Sequence, residues 1–406
     1  MHLAIGRKDD ADDANGEASG AAATAEDCTE VGWLIFSDYY TTRDQRWAVN
    51  GGIGCGAVLG VLTRDRLVLW FAAALAASGA TGRDGVLVNH IVPNMFGCLV
   101  MGVVVAMRPK LQPPRPTIYA GLTTGFCGCC TTFSSYNTSV AMLFLRSADP
   151  GEGFLCALMA IILGAATAWT CLKIGLMLPP ATTSPIAERA QGAQKKLTAL
   201  LAAPGKTEDD IKGVASDLLA AAEELELAAP RLKREVPQLP GKFIRQKIVI
   251  YWSLLVAALA AVIVLLSTDI DHLSPLLIAA TLAPLGAWLR YGLGMWNAKY
   301  SLPFFTLLVN LLAAGLSAFL AYILDASCGS HALDDSQLTA ILSGISTGFC
   351  GSLSTVSSFV DEVRRLGELN KRRSALYVAL TLIGGQALAL LILLPAYWST
   401  EGCTLW

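Results

Sequence analysis

The 406-residue chain is 54% hydrophobic before glycine is counted and only 15% charged, with a mean hydropathy of +0.52. Soluble domains carry about 25% charged residues, so this composition excludes a soluble globule. The net charge of -2 offers no basic footprint for nucleic acid, four His with no H-E-x-x-H or zinc-type spacing argue against a metalloenzyme, and 11 Cys is too sparse for a disulfide scaffold.

Residues 1–45 hold an acidic stretch of small residues, DDADDANGEASGAAATAEDCTE. Such a segment cannot bury a core, so the sequence predicts a disordered tail. It lacks the basic and apolar regions of a signal peptide and is the reverse of an Arg-rich transit peptide. Apolar runs follow, each near the ~20 residues that a bilayer-spanning helix needs. They cover 47–76, 87–107, 118–144, 153–178, 247–267, 273–296, 302–324, 337–360 and 374–396. Arg64, Asp65 and Arg66 interrupt the first. The third and eighth are dense in Gly, Ser and Thr at their centres, a pattern of broken helices tolerated at membrane depth only where they line a cavity. Residues 179–246, rich in Ala, Glu and Lys, read as a cytoplasmic amphipathic helical linker.

Cations divide unevenly between the connecting loops. Arg43, Arg46, Arg108, Lys110, Arg115, Lys299, Arg364, Arg365, Lys371, Arg372 and Arg373 fall on one side. The other side holds Asp84, Asp149, Glu152, Asp269, Asp271, Asp325, Asp334 and Asp335, with only Arg83 and Arg146. The positive-inside rule then places the N-terminus in the cytoplasm and the C-terminus outside. Cys328 and Cys403 share the outer side and form a candidate disulfide.

The chain repeats itself. GFCG occurs at 125–128 and 348–351, an Asn on a small apolar helix at Asn94 and Asn310, and a G-x-x-x-R pair at Gly60/Arg64 and Gly286/Arg290. Their offsets of 223, 216 and 226 are nearly equal, so two four-helix repeats are expected, 46–178 and 268–406, joined by one helix at 247–267. Four spans plus one extra invert the second repeat, and inverted repeats place a site at their interface near the midplane. The predicted fold is an all-α integral membrane protein of nine transmembrane helices.

The most specific element is G-F-C-G-x-x-[TS]-T-x-S-S-[YF]. Its hydroxyls (Thr132, Ser134, Thr355 and Ser357) can satisfy freed backbone groups or line a polar path. Ring edges are electropositive, so Phe133, Tyr136 and Phe359 can meet an anion edge-on. Asn94 and Asn310 each supply two amide donors. Arg64 and Arg290 either attract an anion or anchor helices by pairing. Cys127, Cys129 and Cys130 read as small residues at a helix break. Apart from Asp65, no Asp or Glu falls inside a span, which favours an anion conduit over a proton-coupled carrier.

These motifs resemble the Fluc/CrcB fluoride-channel family. The residues that carry the resemblance are GVLTR (60–64), NMFG (94–97) and GFCGCCTTFSSY (125–136), then GAWLR (286–290), NLLA (310–313) and GFCGSLSTVSSF (348–359). The duplicated form with one linking helix is similar to the eukaryotic fluoride exporters. The resemblance implies a structural Na+ held by backbone carbonyls at Gly128, Thr131, Gly351 and Ser354. It also implies two pores, each mixing one aromatic from each half. Phe133 pairs with Phe359 in one, and Tyr136 meets Val356 in the other. The family's fourth-helix Tyr matches Tyr377, with Thr381 a turn later, whereas the first half has Ala157 and Ile161. One working pore and one vestigial pore are therefore expected. The protein would be a monomer acting as a pseudo-dimer in the plasma membrane and would carry fluoride without catalysing a reaction. The alternative is a secondary transporter of another small solute; a scaffolding role for the linker is a further possibility.

Overall fold

The computed structural model describes residues 43–77, 83–112, 115–178, 245–246, 248–257, 260, 275–327 and 336–399. The acidic tail up to residue 42, nearly all of the 179–246 linker, and Cys328 and Cys403 lie outside the described residues. Every described element is helical. The first repeat contains α1 (Arg43–Ala77), α2 (Arg83–Ala106), a broken third helix ending in α3 (Ser134–Leu145), and α4 (Pro150–Met177). Ile248–Ala257, here α5, is the described part of the expected linking helix. The second repeat contains α6 (Pro275–Gly294), α7 (Phe304–Ser327), a second broken helix ending in α8 (Ser357–Leu369), and α9 (Lys371–Ser399).

Four stretches among the described residues are long and apolar enough to cross a membrane: Pro150–Met177, Pro275–Lys299, Phe304–Leu324 and Lys371–Pro395. Their outward faces are apolar. On α4, Phe154, Leu158, Met159, Ile162 and Met177 stand exposed, a surface suited to hydrocarbon and costly in water.

Local chemistry sets the helix ends. Asp149 caps α4 by accepting the Gly151 N–H at 2.7 Å, with Pro150 at the first helical position, where a missing N–H does no harm. Asn370 caps α9 through the N–H groups of Arg372 and Arg373. Packing then follows small residues. Gly52, Gly56 and Gly60 recur every fourth residue on α1, and carbonyls of the third helix approach them so closely that any Cβ would collide. α5 docks on α1 and α6 through indoles. Trp252 donates to the Trp47 carbonyl (3.2 Å), Trp288 donates to that of Asn50 (2.8 Å), and the Trp252 and Trp288 rings stand 5.5 Å apart.

The eighth helix continues past its apolar run. The sequence ended the eighth span at Val360 and placed no acid in any span but the first. The helix runs on to Leu369 and carries Asp361 and Glu362 into partly or fully buried positions. Hydropathy stops at Val360, but amphipathicity does not. Asp361 pairs with Arg364 at 2.8 Å and with Arg365 at 3.2 Å on its own helix, while Glu362 turns toward α7 and α9.

Candidate functional site

The two broken helices follow one plan. Pro116–Ala120 leads into a π-helical stretch, Gly121–Cys127, then a short α-helical piece, Gly128–Cys130, and an extended residue, Thr131 (φ -87°, ψ 150°). In the second repeat, Ser336–Ile345, Ser346–Cys350, Gly351–Leu353 and Ser354 (φ -83°, ψ 159°) do the same. Wide π turns inside helices often mark functional sites.

A break strands backbone groups, and here side chains take them up. Asn94 accepts the Thr132 N–H through Oδ1 at 2.8 Å and donates to the Thr132 carbonyl at 3.2 Å. Asn310 makes the same two bonds to Thr355, at 2.8 and 3.2 Å. Thr132 Oγ1 takes the Ser135 N–H, and Thr355 Oγ1 that of Ser358, each at 3.3 Å.

The remaining N–H groups are capped across the repeats. Ser354 Oγ accepts from Phe133 and Ser134 at 3.2 and 3.0 Å, so it caps α3. Thr131 Oγ1 accepts from Val356 and Ser357, both at 3.2 Å, so it caps α8. Because the N–H groups of residues 132–135 bond side chains, the carbonyls of Gly128, Cys129, Cys130 and Thr131 lose their usual helical partners. Those of Gly351 to Ser354 are freed in the same way.

Arg64 and Arg290 are almost fully buried and also cross over. Arg290 donates to the carbonyls of Gly128 (3.1 Å) and Thr124 (2.7 Å), and Arg64 donates to that of Thr347. A Cβ on Gly128 would overlap the Arg290 guanidinium, and one on Gly351 would lie 2.6 Å from Arg64 Nη1. Each guanidinium thus bonds backbone carbonyls of the other repeat.

The aromatic residues gather beside the breaks. Phe133, Phe359, Val356 and Tyr377 share one buried cluster, and the Phe359 and Tyr377 rings are 5.3 Å apart. Tyr136 lies instead among Ile91, Val140, Ala157 and Ala160 and gives its hydroxyl proton to the Ala160 carbonyl. A cavity of about 170 Å³ opens beside these residues and is bordered by Phe133, Phe359, Tyr136 and Val356. Among its lining residues are Ile161, Ala165, Val360 and Val363, with the Asn94 amide as a polar group.

A family model described as "CrcB-like protein, Camphor Resistance (CrcB)" matches residues 52–172 and again 277–393, more than half of the chain. The chain belongs to the CrcB family. The two CrcB matches cover the two halves that carry the breaks, the arginines and the asparagines. Its relatives include proteins named "Fluoride-specific ion channel FluC" from several bacteria. That of Haemophilus influenzae (strain PittGG) is 34% identical over 112 residues, 28% of this chain and 80% of the relative. The one from Stutzerimonas stutzeri is 30% identical over 122 residues, 30% of this chain and 92% of the relative. The Latilactobacillus sakei relative is 36% identical over 118 residues, 29% of this chain and 80% of the relative. A relative spanned almost end to end by under a third of this chain is the size of one repeat. No solved structure matches the chain. With its long apolar helices, this CrcB chain is a multi-pass membrane protein.

Sequence reasoning missed five side chains near these residues. Glu362 accepts from Thr306 Oγ1 at 2.8 Å and from the Tyr377 hydroxyl at 2.7 Å, and Asn297 in turn donates to Thr306 Oγ1 at 2.8 Å. Thr381, expected beside Tyr377, donates to the Tyr377 carbonyl at 2.8 Å. On the other side of the aromatic cluster, Asn137 and Gln386 bond each other. The available signal was helical spacing. Glu362 stands three residues after Phe359, Asn137 four after Phe133, and Thr306 four before Asn310.

Proposed function

We propose that this protein is a fluoride-selective passive channel that lets the anion leave the cytoplasm across the plasma membrane, with its N-terminus cytoplasmic and its C-terminus extracellular. The observation that carries the reading is the reciprocal pair of helix breaks in a chain whose relatives are named as fluoride channels. Caps that cross between repeats in both directions support two inverted repeats of four helices, joined by α5, that act as a pseudo-dimer within one chain. Nine transmembrane helices would follow.

One working path is proposed, past Phe359 and Phe133, with Tyr377 and Thr381 beside it. Fluoride is small and strongly hydrated, so its water must be replaced along the way. Ring edges supply part of that replacement. Asn310 engages one amide hydrogen at Thr355 and keeps a second. The hydroxyls of Thr132, Ser134, Thr355 and Ser357 hold the break in shape. The inside-negative potential drives the anion outward by about 2.3 kcal/mol per 100 mV. The valine at position 356, where the first repeat has Phe133, supports the view that the other path is vestigial.

Neutral carbonyl oxygens are the donors that a hard cation takes, and the breaks free such groups in both repeats. This supports a structural Na+ held by the Gly128, Thr131, Gly351 and Ser354 carbonyls, with the Gly128 oxygen shared with Arg290. Such an ion would balance oxygen dipoles at the junction of the two repeats.

Half-buried Glu362 favours a second reading, a proton-coupled carrier, because it adds a carboxylate besides Asp65 next to the aromatic cluster. Its two oxygens already face hydroxyl donors, an arrangement that satisfies a carboxylate without a transported proton. Fluoride efflux from liposomes, with valinomycin to clamp the voltage, separates the two. A channel releases fluoride without a proton gradient and retains chloride; a carrier needs the gradient. Phe133→Ile or Phe359→Ile should abolish release while Tyr136→Ile spares it. The opposite pattern would overturn the single-path assignment.

A further inference from the structure

The buried stripe on α9 runs Tyr377, Thr381, Gly385, Ala389, every fourth residue. Its first two members bear hydroxyls and its last two bear no donor. An anion that has passed Phe133 would find only a glycine and an alanine on this helix.

Two amides stand where the hydroxyls end. Asn137 lies one turn beyond Phe133 on α3 and is 1% exposed. Its Nδ2 donates to the Gly385 carbonyl at 2.8 Å. Gln386 Nε2 reaches Asn137 Oδ1 at 2.7 Å and the Asn137 carbonyl at 3.2 Å. Gly385 lets the groups converge, because a Cβ there would stand 2.7 Å from Phe133 Cζ and 3.0 Å from Asn137 Oδ1. The ring edge and the amide therefore meet at one point on α9. The bond from Gln386 fixes which way the Asn137 amide faces. Its acceptor oxygen is occupied, and one Nδ2 hydrogen remains after Gly385 is served.

The molecule contains its own comparison. At the 223-residue offset of the GFCG motif, Asn137 corresponds to Val360, which lines a cavity that Phe133, Phe359, Tyr136 and Val356 all border. The first repeat thus has an amide where the second has a valine.

We propose that the Asn137 and Gln386 amides form a second anion-binding station in the Phe133/Phe359 path, beyond the aromatic pair on its outer side. Asn137 presents the donor, and Gln386 positions it. This inference rests on the fluoride-channel reading.

The test is fluoride flux through the full-length protein in liposomes, measured against fluoride concentration, for the parent, Asn137→Val and Gln386→Met. Loss of a donor to an ion weakens binding by about tenfold. Asn137→Val should therefore raise the half-saturating fluoride concentration by about that factor, and Gln386→Met by at least about threefold. A merely structural role would lower the maximal flux, by removing active channels, and leave half-saturation where it was. Unchanged half-saturation in Gln386→Met overturns the proposal, whether or not flux falls. If Asn137→Val does not fold, the half-exposed Gln386 site decides alone. A parent that passes no fluoride refutes the channel reading itself, whereas a conducting parent with unaltered variants refutes only the station.

Discussion

Ser354→Ala isolates the cross-repeat cap. The change deletes one oxygen that accepts from the Phe133 and Ser134 N–H groups and donates to Ser134 Oγ at 3.0 Å. Phe133, Ser134 and Ser354 are all buried, so the stranded groups have no exposed surface through which to recover a partner. A stranded buried N–H costs about 1–3 kcal/mol, so two cost about 2–6 kcal/mol. Even the lower figure multiplies the equilibrium for opening the break by roughly 30. Cysteines report that opening directly, because Cys129 and Cys130 are fully buried free thiols beside the break. Labelling by a thiol-reactive dye in detergent, resolved by peptide mass, should accelerate by about 30-fold or more at those positions in Ser354→Ala. Ser354→Thr should restore slow labelling, since threonine performs the matching task at position 131. A rise below about threefold in Ser354→Ala, or equally fast labelling in Ser354→Thr, would refute the capping argument.

Gly128→Ala and Gly351→Ala each drive a methyl into a guanidinium, so both should lose the monodisperse peak on size exclusion. Gly367→Ala, whose methyl would meet nothing nearer than 3.6 Å, should keep it. Replacing sodium by N-methylglucamine should speed dye labelling of Cys129 and Cys350 severalfold, and equal rates in the two buffers would remove the cation from the break.

Much of the architecture was legible because membranes punish irregularity. The Gly, Ser and Thr density around Gly128 and Gly351 predicted the breaks, and nearly equal offsets exposed the repeat. The identity of each group's partner was not legible. Thr131 and Ser354 stand at matching positions of similar motifs, yet each caps the other repeat's helix, a relation set by how the two helices cross. Arg290 reaches Gly128, which precedes it by 162 residues, and no local pattern announces that contact. Glu362 was missed for a different reason. A hydropathy window sums the run DEVRRLGEL as solvent, while one face of that helix is held by Thr306 and Tyr377.

The crossed caps also bear on how the protein is made. The N–H groups of Phe133 and Ser134 emerge from the ribosome about 220 residues before the hydroxyl that will satisfy them. At ~5–20 residues per second, that interval is roughly 10–45 s. For that time the first repeat holds two backbone donors whose final partner has not been synthesised, in a solvent that supplies none. Biosynthesis must keep that stretch helical through the future break, keep it wet, or shelter it in the insertion machinery. The last step of assembly is then mutual, since Ser354 completes α3 as Thr131 completes α8, and neither repeat reaches its final backbone before the other.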